Sequence, residues 1–214
     1  MPTLKDVELK IKAVKKTKQI TKAMNMVATS RLRGAQQNMD AFRPYAGKFA
    51  EVLGSLAEKA GEEANPLLVP KETVKKIHIV LCTSDRGLCG GFNLNLIDKA
   101  EALMEEKAGA DVTFDFTNFG KKGRDWARKA DGEIIEEYLG VVGTTFDFSV
   151  ASTSGRRLVE GFLEGKYDEV YIIYSKFLGM AKQVPMVQQL LPIPAIEKDD
   201  GEDAVDDQPY LAEH

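Results

Sequence analysis

In the first quarter of the chain, steps of alternately three and four residues pass through Leu4, Val7, Ile11, Val14, Lys18, Thr21, Asn25, Ala28, Leu32, Ala35, Met39, Phe42, Ala46, Phe49, Leu53 and Leu56. A seam sustained for about seven heptads predicts a long helix that packs along another helix, because only a 3.5-residue repeat keeps one stripe facing a partner helix. The seam turns polar at Lys18, Thr21 and Asn25. There a second stripe, Ile20, Ala23, Met24 and Val27, takes over one step round the helix and offers a different surface to its surroundings. Pro44 removes an intrahelical hydrogen bond and predicts a bend near Phe42. Gly34, Gly47 and Gly54 each weaken the helix by up to about 1 kcal/mol.

After the arm (1–60) and a Gly- and Pro-containing linker (61–74), the period changes. Ile77–Thr83 is a short β-branched apolar run suited to a strand buried on both faces. Helical spacing follows at Leu94, Ile97, Leu103 and Met104 within 94–107. Val112–Thr117 alternates as a strand does, 121–129 reads as a short helix, and Glu133–Leu139 is a further strand. An amphipathic helix at 146–163 turns Val150, Leu158, Val159 and Phe162 inward. Glu169–Ser175 is the next buried strand and pairs with 182–191 as a hairpin across 177–181. Strands alternating with helices place residues 75–194 in the α/β class: a Rossmann-like, mostly parallel five-stranded sheet with flanking helices, preceded by a long coiled-coil helix. Residues 195–214 form an acidic tail.

Charge alters the picture mainly on the arm. The chain carries a formal net charge of −4, yet residues 1–33 hold nine basic groups (Lys5, Lys10, Lys12, Lys15, Lys16, Lys18, Lys22, Arg31 and Arg33) against Asp6 and Glu8, a net of plus seven. A solvated polar face, a nucleic-acid surface and a helix facing acidic loops of a protein partner all fit that charge. Interleaved aromatics and Asn or Gln base readers are missing from the first thirty residues, so nothing beyond charge supports nucleic acid. With 43% hydrophobic and 29% charged residues the composition is that of a soluble protein, and no run of eighteen apolar residues exists to span a membrane. The start, Met1-Pro-Thr-Leu-Lys-Asp6, is neither a signal nor a transit peptide, which implies a cytoplasmic location.

Chemistry is sparse. Asp85-Arg-Gly-Leu-Cys-Gly-Gly-Phe-Asn93 joins a strand to its helix, where doubly wound folds bind phosphate, but its glycines at 87, 90 and 91 do not give G-x-G-x-x-G and no G-K-[ST] follows. A tight turn with close strand–helix packing, or a contact made by an exposed Asp85–Arg86 pair, accounts for the loop. Cys82 and Cys89 match no zinc or redox spacing and read as reduced packing residues. His78 lies inside a strand and His214 is the last residue, so no histidine is placed to serve a nucleophile. Asp199, Asp200, Glu202, Asp203, Asp206 and Asp207 lack calcium-loop spacing and read as a solvated tail. No cofactor, metal or catalytic residue is expected.

Three separated motifs resemble the gamma subunit of F-type ATP synthase: Thr17-Lys-Gln-Ile-Thr-Lys-Ala-Met-Asn-Met-Val-Ala28 with Arg31, Arg33 and Arg43-Pro-Tyr-Ala46; Thr83-Ser-Asp-Arg-Gly-Leu-Cys-Gly-Gly-Phe-Asn93; and Gln183-Val-Pro-Met-Val-Gln-Gln-Leu-Leu-Pro192. The resemblance covers essentially the whole chain. It implies a non-catalytic central-stalk rotor, peripheral to the cytoplasmic face of a bacterial cell membrane, which couples ion flow through the c-ring to ATP synthesis. The arm would lie inside a ring of α and β subunits, with Lys10, Lys18, Ile20, Lys22, Met24, Met26, Arg31, Arg33, Asp85 and Arg86 against the catalytic β subunits. Arg43, Pro44, Tyr45 and Tyr210 would belong to a foot that meets the epsilon subunit and the c-ring. Relatives continue from a Tyr-Leu like Tyr210-Leu211 through a further long helix, so the sequence leaves the arm's usual partner outside residues 1–214. A non-rotating, helix-mediated binding or assembly module of the same family is the alternative, in which the arm associates with a second copy through Leu4–Leu56 or recruits another helix.

Overall fold

The computed structural model describes residues 3–60, 65–130, 132–141 and 148–194. The acidic segment 195–214, Tyr210 included, lies outside them, as do linker residues 61–64 and the side chains of 50, 51 and 54–60. The chain divides into two units, Met1–Leu53 and Gly54–His214.

Helix α1 runs from Leu4 to Ala60. Its start is fixed by a capping box: Thr3 Oγ1 accepts from the Asp6 backbone N–H at 3.3 Å, while the Asp6 carboxylate accepts from the Thr3 backbone N–H at 2.9 Å and from its hydroxyl at 2.7 Å. The helix continues through Pro44 without a break. Proline therefore deletes one internal hydrogen bond here and does not end the element. The threonines in and beside the seam gap are satisfied on their own helix, Thr17, Thr21 and Thr29 donating to the carbonyls of Ala13, Thr17 and Asn25 at 3.0, 2.5 and 2.9 Å.

The second unit is a five-stranded sheet in the order β3-β2-β1-β4-β5. Its strands are β1 (Lys76–Cys82), β2 (Thr113–Phe119), β3 (Glu133–Tyr138), β4 (Glu169–Gly179) and β5 (Lys182–Leu191). The first four are parallel and β5 is antiparallel to β4. Helices α2 (Phe92–Lys107) and α3 (Lys121–Ala127) connect the strands from β1 to β3, and α4 (Phe148–Leu163) precedes β4. Because β1 is buried on both faces, alternate residues feed two cores. Ile77, Ile79 and Leu81 pack with Phe114, Phe116, Ile173 and α2, whereas Val80 joins Val170, Leu158, Phe162 and Tyr167 on the side of α4.

The buried stripe of α2 is Leu96, Ala100 and Leu103, with Leu94 exposed. A helix start at Leu94 is thus two residues late: the helix begins at Phe92, and Leu94 falls on its outer face. The hairpin turn is also tighter than 177–181. Phe177 pairs with Gln183 and Gly179 with Lys182, so the ladder runs on past Phe177 through a bulge. Pro185 sits within β5, which is possible because β5 is an edge strand.

Candidate interaction surfaces

On the arm, Lys10, Lys18, Ile20, Lys22, Met24, Met26, Arg31 and Arg33 are all exposed. None of these lysines or arginines makes an ion pair with a described residue. At 3.6 residues per turn they separate onto two sides of α1. Lys18, Lys22, Met26 and Arg33 share one side and Ile20, Met24 and Arg31 share the other, with Lys10 towards its edge, and the seam passes between the two groups. Ile20, Met24 and Val27 each precede a seam position (Thr21, Asn25 and Ala28) by one residue, so their stripe lies one step, about 100°, round the helix from the seam. Most of the described apolar seam residues remain open: Leu4 is 82% exposed, and Val7, Ile11, Val14, Phe42 and Phe49 all exceed 40%, while Met39 and Leu53 are half-buried.

Near the proline, Tyr45 lies between two seam residues, its ring centroid 5.6 Å from Phe42 and 6.0 Å from Phe49. Arg43, Pro44 and Tyr45 are exposed. This aromatic ladder, at steps of three and four, was legible in the spacing.

In the second unit the loop between β1 and α2 holds Asp85 and Arg86 differently from an exposed pair. Asp85 is half-buried, and its carboxylate accepts from the backbone N–H of Lys121 at 3.1 Å and of Gly140 at 3.0 Å. It fastens the loop to the segments after β2 and β3, so its charge is engaged within the domain. Arg86 is exposed, with its guanidinium unpaired among the described residues. Close strand–helix packing is supplied by Gly120, just before α3, and Gly123 within α3, not by Gly87 or Gly90. At Gly120, with φ +95°, an added Cβ would fall 2.3 Å from the Thr83 carbonyl oxygen.

The two cysteines part company. Cys82 is half-buried on β1 and burial pushes its thiol up to about 12. Cys89 is exposed in the loop and accepts from the Asn93 amide at 3.1 Å, so it is not a packing residue. Sequence reading also passed over Leu88, which is 93% exposed with φ +62°. Its only sequence signal was an apolar residue set between Gly87 and Gly90.

No group of histidine, cysteine and carboxylate side chains suited to a metal occurs among the described residues, and no described helix is long and apolar enough to cross a membrane. What the described surface offers is contact area: a basic, apolar-striped helix and one braced loop.

A family model described as ATP synthase matches residues 3–213. The ATP synthase gamma chain of Desulfosudis oleivorans is 65% identical, covering 100% of this chain and 72% of that protein. That of Desulforapulum autotrophicum is 63% identical over the same shares, and that of Nitratidesulfovibrio vulgaris Hildenborough is 51% identical over 95% of this chain and 70% of that protein. Among solved structures, the cryo-EM central stalk and c-ring of Tetrahymena thermophila mitochondrial ATP synthase contains a chain that matches with a TM-score of 0.60 and 26% identity, over 81% of this chain and 72% of that one.

Proposed function

Because the chain belongs to the gamma-chain family of ATP synthase, we propose that it is the central-stalk subunit, a shaft that couples ion flow through the membrane c-ring to the catalytic β subunits. The observation that carries this reading is the arm: a 57-residue helix with unpaired cations on two sides and an open apolar seam. Such a helix fits a partner helix along the seam and acidic surroundings around the charge.

The work is mechanical, and the chain is expected to supply no catalytic group. A rotating shaft changes which contacts each β subunit makes, and so shifts that subunit's equilibrium between open and closed states by the difference in contact energy. The two-sided arrangement suits this role. Ile20, Met24 and Arg31 meet one subunit of the α and β ring while Lys18, Lys22, Met26 and Arg33 meet another, and the flexible methionines pass an apolar wall without locking into one register. Arg43, Pro44, Tyr45 and the α/β unit form the foot toward the epsilon subunit and c-ring, at the cytoplasmic face of the cell membrane.

Reversing Lys22 and Arg33 to Glu in the assembled complex tests the electrostatic part. Each exposed pair contributes about 0.2–1 kcal/mol, so coupling between hydrolysis and pumping falls by a graded amount while the α/β unit stays folded. Unchanged coupling in the double variant contradicts it.

A further inference from the structure

Residues 65–75 hold neither helix nor strand, yet through them the chain passes from the arm to β1. Connecting segments of this kind are ordinarily the most mobile part of a fold. This one is tied to both cores and to two further elements. Leu67 packs on the α4 side of the sheet and Val74 on the α2 side. The Leu67 carbonyl accepts from the backbone N–H of Ile193, just past β5, at 2.8 Å. Lys71 Nζ donates to the Asp168 carboxylate at 3.0 Å and to the Tyr167 carbonyl at 3.1 Å, and lies 5.4 Å from the centre of the Phe162 ring. These three partners belong to α4 and the turn from it into β4. The Asp168 carboxylate also accepts from the backbone N–H groups of Lys75 and Lys76, both at 2.8 Å. One carboxylate thus holds three points of the entry to β1.

A single covalent chain transmits pull but not twist, because each residue of an unrestrained segment turns about φ and ψ until the slack is taken up. Twist passes directly where the segment is fixed at more than one point. We infer that Lys71 and Asp168 form the joint at which rotation of the arm is handed to the sheet unit, with Lys71 as its positioning residue. This inference rests on the rotor reading. A second ion pair of nearly the same make separates that role from a contribution to folding alone. Lys107 Nζ lies 2.9 Å from the Glu169 carboxylate and 5.2 Å from the centre of the Tyr171 ring, with side-chain exposures of 30% and 15% against 33% and 14% for Lys71 and Asp168. It joins α2 to β4 and holds no part of the described entry segment.

The test compares the unaltered chain with Lys71→Met, Lys71→Arg and Lys107→Met, each assembled with α and β subunits of a close relative. Single-molecule fluorescence polarisation reads the angular variance between a label on the arm and a label on the sheet unit. A charge-assisted bond holds about twice as strongly as the neutral Leu67–Ile193 bond, so without it about a third of the restraint remains and the variance is expected to rise about threefold in Lys71→Met. Lys71→Arg keeps the charge and is expected to stay near the unaltered value. Lys107→Met is expected to lower the melting temperature as much as Lys71→Met does while leaving the variance unchanged. Should Lys71→Met fail to fold, Asp168→Asn, which keeps an oxygen for the two backbone N–H groups, carries the same expectation. No rise in variance, or an equal rise in Lys107→Met, overturns the inference and leaves the rotor reading intact. Failure of the unaltered chain to assemble with the ring overturns the rotor reading, and the inference with it.

Discussion

His78 sits wholly buried on β1, its Nε2 2.8 Å from the Thr117 hydroxyl and its ring 4.3 Å from that of Tyr167. Burial takes its pKa down to about 4. As pH falls through about 6.5 toward 4, the unfolded chain binds a proton that the folded chain refuses, so stability present above that window is lost within it, on the order of 3 kcal/mol. Urea midpoints measured against pH should therefore fall more steeply between pH 6.5 and 4 for the unaltered chain than for His78→Gln; parallel curves would contradict the assignment. The cysteines give a second reading at this scale. Cys89 should alkylate readily in the folded protein and Cys82 only on unfolding, which mass spectrometry of the labelled peptides distinguishes. Residue types announced neither outcome, because a cysteine's reactivity depends on burial and neighbours and not on spacing.

Between elements, glycines separate into those that packing requires and those it does not. Gly120→Ala would force a Cβ against backbone from a positive-φ position and should cost about 3 kcal/mol or more. Gly155→Ala, with open space around it inside α4, should be neutral or stabilise by up to about 1 kcal/mol. Paired thermal melts check both. The strands of this unit were legible because each is a β-branched or alternating run bounded by turn residues, and period 2 admits few other readings. The inner face of α2 was less so: Leu94 and Leu96 are both apolar, and only the position of the first turn at Phe92 decides which of them meets the sheet. On α1 the heptad spacing and the second stripe one step round the helix were both legible in the sequence. The engagement of Asp85 by Lys121 and Gly140 had no local signal, since its two partners lie 36 and 55 residues away.

At the scale of the whole molecule, the chain joins a unit that buries its apolar residues to one that leaves them open. Removing residues 1–53 should therefore leave an α/β unit with unchanged cooperative unfolding, checked by circular dichroism and sedimentation, because both of its cores are drawn from residues after 66. The arm has no such independence. Its seam suits a partner helix, and its net charge of plus seven over residues 1–33 suits the acidic surroundings proposed for it. The family resemblance could be read from three motifs, and the comparisons uphold it across the chain. The individual contact residues could not be read in this way, because a helix surface shows which positions are available and not which of them a partner takes. The most direct measurement of the central claim is copurification of the full chain with α and β subunits at low and at high salt. The account predicts a complex that holds at low salt and loosens as screening removes the arm's charge contacts. A chain that stays apart from the ring at low salt, pairing only with its own copies, would contradict it.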